Sequence, residues 1–254
     1  MRISLKGPDC TIKLAPMSTA TVSPAVAGRS SRALRFFEAT IVKKAVMAVT
    51  GFILFVFVTG HLLGNLQVFL GPERLNGYAA FLKGNLELLW GTRIVLLIAV
   101  TAHIIATIQL ATLKNKARPV SYTKKKNSHS SFASRSMYVT GPMIAAFVIY
   151  HLLHFTVGVV HPQFSETDVY SNVVYGFQQW PVAIVYIVAM GLLCLHLNHG
   201  IYSMFQTLGV SHPHYTPRIK VAARVIGILY FIGFASIPVA VLLGILTTNA
   251  PAQL

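Results

Sequence analysis

The chain has 254 residues, of which 54% are hydrophobic and only 11% charged. A soluble domain carries about 25% charged residues, so this balance excludes an ordinary soluble enzyme and leaves no length for a separate soluble catalytic domain beside a membrane domain. The net charge of +15 does not argue for nucleic acid, because the basic residues are confined to particular loops.

Residues 1–35 are rich in Ser, Ala, Pro, Thr and Arg and contain no apolar run of signal-peptide length. They read as a disordered tail, with Met17 as a second candidate start. Arg35 to Glu38 could begin a short interfacial helix or simply form the entry to the first span. Cys10 and Cys194 have no disulfide or zinc spacing, and the lack of C-x-x-C-H excludes covalently attached c-type haem.

Residues 36–254 form one all-α membrane domain with five transmembrane helices, since about 20 apolar residues cross the hydrocarbon core. The first span covers residues 45–70 and carries His61, Asn65 and Gln67. The following loop has a possible surface helix from Leu75 to Leu82. The second span covers residues 90–113, with Arg93 near its start and His103 within. The basic loop from Lys114 to Arg135 includes Lys124, Lys125 and Lys126, and its Ser and Asn content marks His129 as solvated.

The third span, residues 136–160, has Pro142 in its first turns and His151 and His154 further on. A polar and aromatic loop without Lys or Arg follows, from His161 to Gln179. The fourth span, residues 181–206, opens on Pro181 and holds His196 and His199. His161 in one loop, and His212 and His214 in the next, are expected to face solvent. The fifth span, residues 221–247, has no His, Asp or Glu, and its Gly227, Gly233 and Gly244 suit close helix packing.

Lys and Arg number eight through Lys44 and seven from Lys114 to Arg135, but none occur from His161 to Gln179 or after Thr247. The positive-inside rule puts the two basic segments in the cytoplasm. The N-terminus is then cytoplasmic and the C-terminus outside.

Ionisable residues at membrane depth are functional hypotheses by default, and four spans each bring at least one histidine there. At about 1.5 Å per residue, His61, His151 and His154 lie about 21–25 Å from the cytoplasmic edge. His103 and His196 lie about 15 Å from it. The first and third spans therefore meet at an outer level, and the second and fourth at an inner one. Two haems, each between two neutral imidazoles and stacked across the membrane, need this arrangement. Small residues beside the histidines, Gly60, Ala102 and Gly200, let a porphyrin approach. His154 and His199 each follow another histidine by three residues, on much the same helix face. One of each pair can ligate, and the other suits a propionate, a quinone or a carbonyl. Depth alone does not separate His151 from His154.

Several stretches together resemble the cytochrome b membrane-anchor subunit of bacterial succinate dehydrogenase, of the single-anchor, five-helix, dihaem type. They are Gly60-His-Leu-Leu-Gly-Asn-Leu-Gln67, Ala102-His103, Tyr150-His-Leu-Leu-His-Phe155, Asp168-Val-Tyr-Ser-Asn-Val-Val-Tyr-Gly-Phe177, and Leu195 to Gly209. In that family the first histidine of each doublet is the usual ligand. The resemblance thus implies His61, His103, His151 and His196 as axial ligands of two haems b, paired His61/His151 and His103/His196. It also implies flavoprotein and iron–sulfur subunits docked on the cytoplasmic face of the bacterial inner membrane. Electrons would pass through the two haems between succinate and a membrane quinone such as menaquinone. This chain has no flavin or iron–sulfur motif, so it cannot handle succinate alone.

A quinone needs polar groups at the edge of an apolar cleft. Asn65, Gln67, Glu73, Arg93 and His154 are candidates near the outer end. Lys44, His199, Gln206 and the turn from Ser211 to Tyr215 are candidates near the inner end. Two alternatives compete with this assignment. One is the dihaem cytochrome b of a hydrogenase or formate dehydrogenase, and the other is a haem-free proton-coupled transporter using its histidines as relays.

Overall fold

A chain in hydrocarbon must satisfy every backbone N–H and C=O internally, and a long apolar run does this as a helix. A computed structural model describes residues 39–117 and 132–248. The stretches 1–35 and Arg35 to Glu38, most of the basic loop with His129, and the last six residues lie outside the described ones.

Among the described residues, five helices are long and apolar enough to cross a membrane. The first, α1, covers Thr40–Asn65 and tightens into a 3-10 turn over Leu66–Leu70. A short helix, α2 (Pro72–Gly84), opens on proline and precedes α3 (Leu86–Lys116). Helix α4 (Phe132–Leu152) runs into a π-helical turn, Leu153–Val157. A second short helix, α5 (Val169–Gln178), leads to α6 (Trp180–Thr207), and α7 (Thr216–Leu242) follows. No strand occurs among the described residues.

Glycine decides two helix ends. Gly158 has φ +83, a left-handed conformation that L side chains resist, and it stops the third span before Val160. Gly244, at φ +71, follows the end of α7 at Leu242, so helix does not continue to Thr247. The segment from His161 to Gln179, expected as a loop, contains α5. Its cap is Asp168, whose carboxylate accepts hydrogen bonds from the Ser171 N–H at 3.0 Å and the Ser171 hydroxyl at 2.6 Å.

The two short helices clasp at one end of the bundle. Asn76 of α2 donates to Asp168 at 2.9 Å and accepts from the Tyr170 N–H at 2.9 Å. Lys83 donates to the Glu166 carbonyl. Beneath this clasp Val68, Leu75, Val174, Phe177 and Ile237 make one continuous apolar core.

Among the spans, α1 packs on α3 and α6, α4 packs on α6, and α6 packs on α7. The last pair approaches closely at Gly227, where an added Cβ would stand 2.9 Å from the Cys194 carbonyl oxygen. In contrast, α1 with α4, and α3 with α6, hardly meet along their backbones.

Candidate functional site

Each of these two helix pairs is bridged by a pair of imidazoles. His103 of α3 faces His196 of α6 with ring centroids 6.4 Å apart and planes inclined at 57°. His61 of α1 faces His151 of α4 at 5.7 Å and 85°. The four spans that carry predicted ligands thus bring them together in two pairs.

The first pair is oriented by threonines. The Thr50 hydroxyl lies 2.7 Å from the Val46 carbonyl and 3.1 Å from His103 Nδ1. A hydroxyl has one hydrogen. With that hydrogen committed to Val46, Thr50 Oγ1 accepts from His103 Nδ1–H. His103 Nε2 then carries a free lone pair, the tautomer a metal ligand needs. Gly51 aids this by leaving room beside α1: an added Cβ would already touch His103 Cε1 at 3.4 Å. On α6, His196 Nδ1 lies 3.5 Å from the hydroxyl of Thr140, a residue only 1% exposed.

The second pair sits in an aromatic box. Phe57 stacks on His61 at 5.4 Å, Phe234 lies 6.1 Å from it, and Phe147 stacks on His151 at 6.0 Å. His151 Nδ1 is 3.3 Å from the hydroxyl of Tyr186, a residue of α6 that is 6% exposed. His154 Nδ1 reaches the same hydroxyl at 3.0 Å.

The remaining candidates are differently placed. His154 is buried, stacked on Tyr150 at 5.6 Å and 11°, and packed against Phe155 and His161 at 4.2 and 4.9 Å. The Asn65 amide donates to the His61 carbonyl at 2.7 Å, which ties it to its own helix. His199 is half-buried, whereas Lys44, Arg93 and Gln206 are exposed. The Arg93 guanidinium rests over the Trp90 ring at 5.1 Å.

His161 departs from expectation. It is 7% exposed, not solvated. Its Nδ1 accepts from the Gln163 N–H at 3.1 Å, so its Nε2–H donates to the Asn172 carbonyl at 2.9 Å. Helix α5, which the sequence hides in a polar stretch, supplies that cover. Tyr186 carries no sequence signal either, being one aromatic residue in an apolar span.

The donor sets discriminate between kinds of metal centre. Among the described residues no three His, Cys, Asp or Glu side chains gather as a bare metal ion requires. Two opposed imidazoles suit an iron whose other positions are filled by a porphyrin. Metal–imidazole bonds of about 2 Å place the two ring centroids about 6 Å apart, close to the observed separations. The two imidazole pairs therefore fit the ligand set of two haems.

Residues 114–235 match the model of the family described as succinate dehydrogenase/fumarate reductase transmembrane subunit. That segment contains His151, Tyr186 and His196, while His61 and His103 precede it. No curated protein and no solved structure matches the chain.

Proposed function

We propose that this chain is a membrane-anchor subunit of the succinate dehydrogenase/fumarate reductase family, whose model matches residues 114–235, and that it holds two haems b and carries electrons between its partner subunits and a membrane quinone. The observation that carries the proposal is the two imidazole pairs, each joining two spans that hardly meet along their backbones. His61 and His151 would hold the outer haem, and His103 and His196 the inner one. A haem held between two histidines supplies a one-electron carrier with no open position for oxygen.

The chain's own residues do the rest. Thr50 fixes the His103 tautomer, and Thr140 faces the corresponding nitrogen of His196. The aromatic box around His61 and His151 keeps water from the outer pair. Flavoprotein and iron–sulfur subunits would dock on the basic side, which the charge pattern makes cytoplasmic. Electrons would then meet the inner pair first and the outer pair second, in the inner membrane of a bacterium. Menaquinone or another quinone would exchange electrons at a bundle edge.

The test is a reduced-minus-oxidised spectrum of the purified complex with haem stoichiometry. Two b-type haems are expected in the native protein. His61→Ala or His151→Ala should remove one, and His103→Ala or His196→Ala the other. A native protein without a b-type band would end the proposal. Co-purification with a succinate-oxidising flavoprotein checks the partner assignment separately.

A further inference from the structure

Two histidines three residues apart compete for the same phenol. His151 Nδ1 and His154 Nδ1 lie 3.3 and 3.0 Å from the one hydroxyl oxygen of Tyr186. Both nitrogens converge there because they share a face of α4 where it passes into the π-helical turn Leu153–Val157.

The phenol has one hydrogen and two lone pairs, and each neutral imidazole has one donor and one acceptor. Only two arrangements satisfy all three groups. In the first, His151 Nδ1–H donates to the Tyr186 oxygen and the Tyr186 hydroxyl donates to His154 Nδ1. In the second, both bonds reverse. The second places the remaining hydrogen of His151 on Nε2, leaving no lone pair for a ligand. The first leaves the Nε2 lone pair of His151 free.

Packing gives the two histidines different prospects. His151 faces His61 of α1. His154 is 1% exposed and walled by Tyr150, Phe155 and His161. The α5 backbone closes another side: a Cβ on Gly176 would stand 2.9 Å from His154 Cε1. No face of His154 has room for a porphyrin.

We infer that Tyr186 is a positioning residue that locks His151 in its ligating tautomer, with His154 serving as the acceptor that aims the phenol hydrogen away from His151. His154 thus acts on the outer centre through Tyr186, without touching iron, propionate or quinone. Tyr186 does for His151 what Thr50 does for His103, but its hydrogen is directed by a second histidine instead of a backbone carbonyl. This inference rests on the dihaem proposal above.

An acceptor on Nδ1–H makes the imidazole a more basic ligand, which favours oxidised iron. Tyr186→Phe removes only the hydroxyl oxygen and keeps the ring that packs against Phe147 and Phe177. Redox titration of the purified complex should show one midpoint potential raised and the other unchanged, or selective loss of one haem with the other at its native potential. Two haems at native potentials, or loss of both, would overturn the inference. His154→Ala frees the phenol hydrogen to turn toward His151, so it should disturb the same centre as Tyr186→Phe, by a shifted midpoint potential or loss of that haem; both haems at native potentials in His154→Ala would overturn the inference as well. Absence of haem from the native protein would instead remove the dihaem proposal itself, so the two failures are separable.

Discussion

The smallest decisive feature near the outer histidines is a missing methyl group. Gly176 lets α5 lie against His154, with His161 Nε2 and the Phe155 ring each 3.2 Å from the position a Cβ would take. All three rings are hemmed in by one another, so none can retreat cheaply. Gly176→Ala is expected to cost about 1–3 kcal/mol, as overpacking usually does, seen as a lower unfolding temperature in detergent. Gly77→Ala is the control, because nothing lies within 4 Å of its added Cβ; an unchanged or higher unfolding temperature is expected there. At this scale the sequence exposes the paired histidines, since helical rise converts residue number into depth. It does not expose Gly176, Tyr186 or the burial of His161. Those depend on a short helix folding back over the end of a span, a contact between segments whose local patterns carry no trace of one another.

Among elements, α5 shows where pattern reading stops. Long apolar runs announce α1, α3, α4, α6 and α7, because hydrocarbon permits little else. Ten residues, six of them buried, framed by polar loop residues, look like loop until the cap is noticed. The capping signal was present in Asp168 followed three residues later by Ser171. Burial pushes the Asp168 carboxyl upward, but bonds from the Ser171 hydroxyl and N–H and from Asn76 outweigh it and hold the group below its ordinary value. The resulting stabilisation is fully present above the unfolded-state value of about 3.9, and is lost as pH falls through the lower folded-state value. Asp168→Ala should therefore destabilise the protein at neutral pH by about 1 kcal/mol, the typical worth of a helix cap. The gap between the two proteins' unfolding temperatures should narrow below pH ~4. A gap that stays constant down to pH ~2 would show that the carboxylate charge does not matter.

For the molecule as a whole, the all-helical fold and its five membrane-crossing helices follow from composition and run length, and the structure has both. What composition does not reveal is how unevenly the helices share their burial. In α7, 39% of the most apolar stretch is covered by protein, against 6% in α4. The histidine-free helix is thus the best-anchored one, fastened to α6 at Gly227 and to α1 where Gly233 meets Leu62. The four histidine-bearing spans are less covered, from 28% in α6 to 6% in α4.

On the dihaem proposal the two groups would matter for stability as well as for electron flow, because each would join two spans that hardly meet along their backbones. A group that binds only the folded form, at a thousand times its dissociation constant, adds about 4 kcal/mol to stability. Abundance in the membrane should accordingly follow the cell's haem economy. In haem-starved cells the level of this chain should fall several-fold at constant transcript, and restoring haem should restore it. Equal protein in starved and replete cells would show that the bundle stands without its bound groups. The cell would then be able to stock anchor subunits before it has haem to fill them.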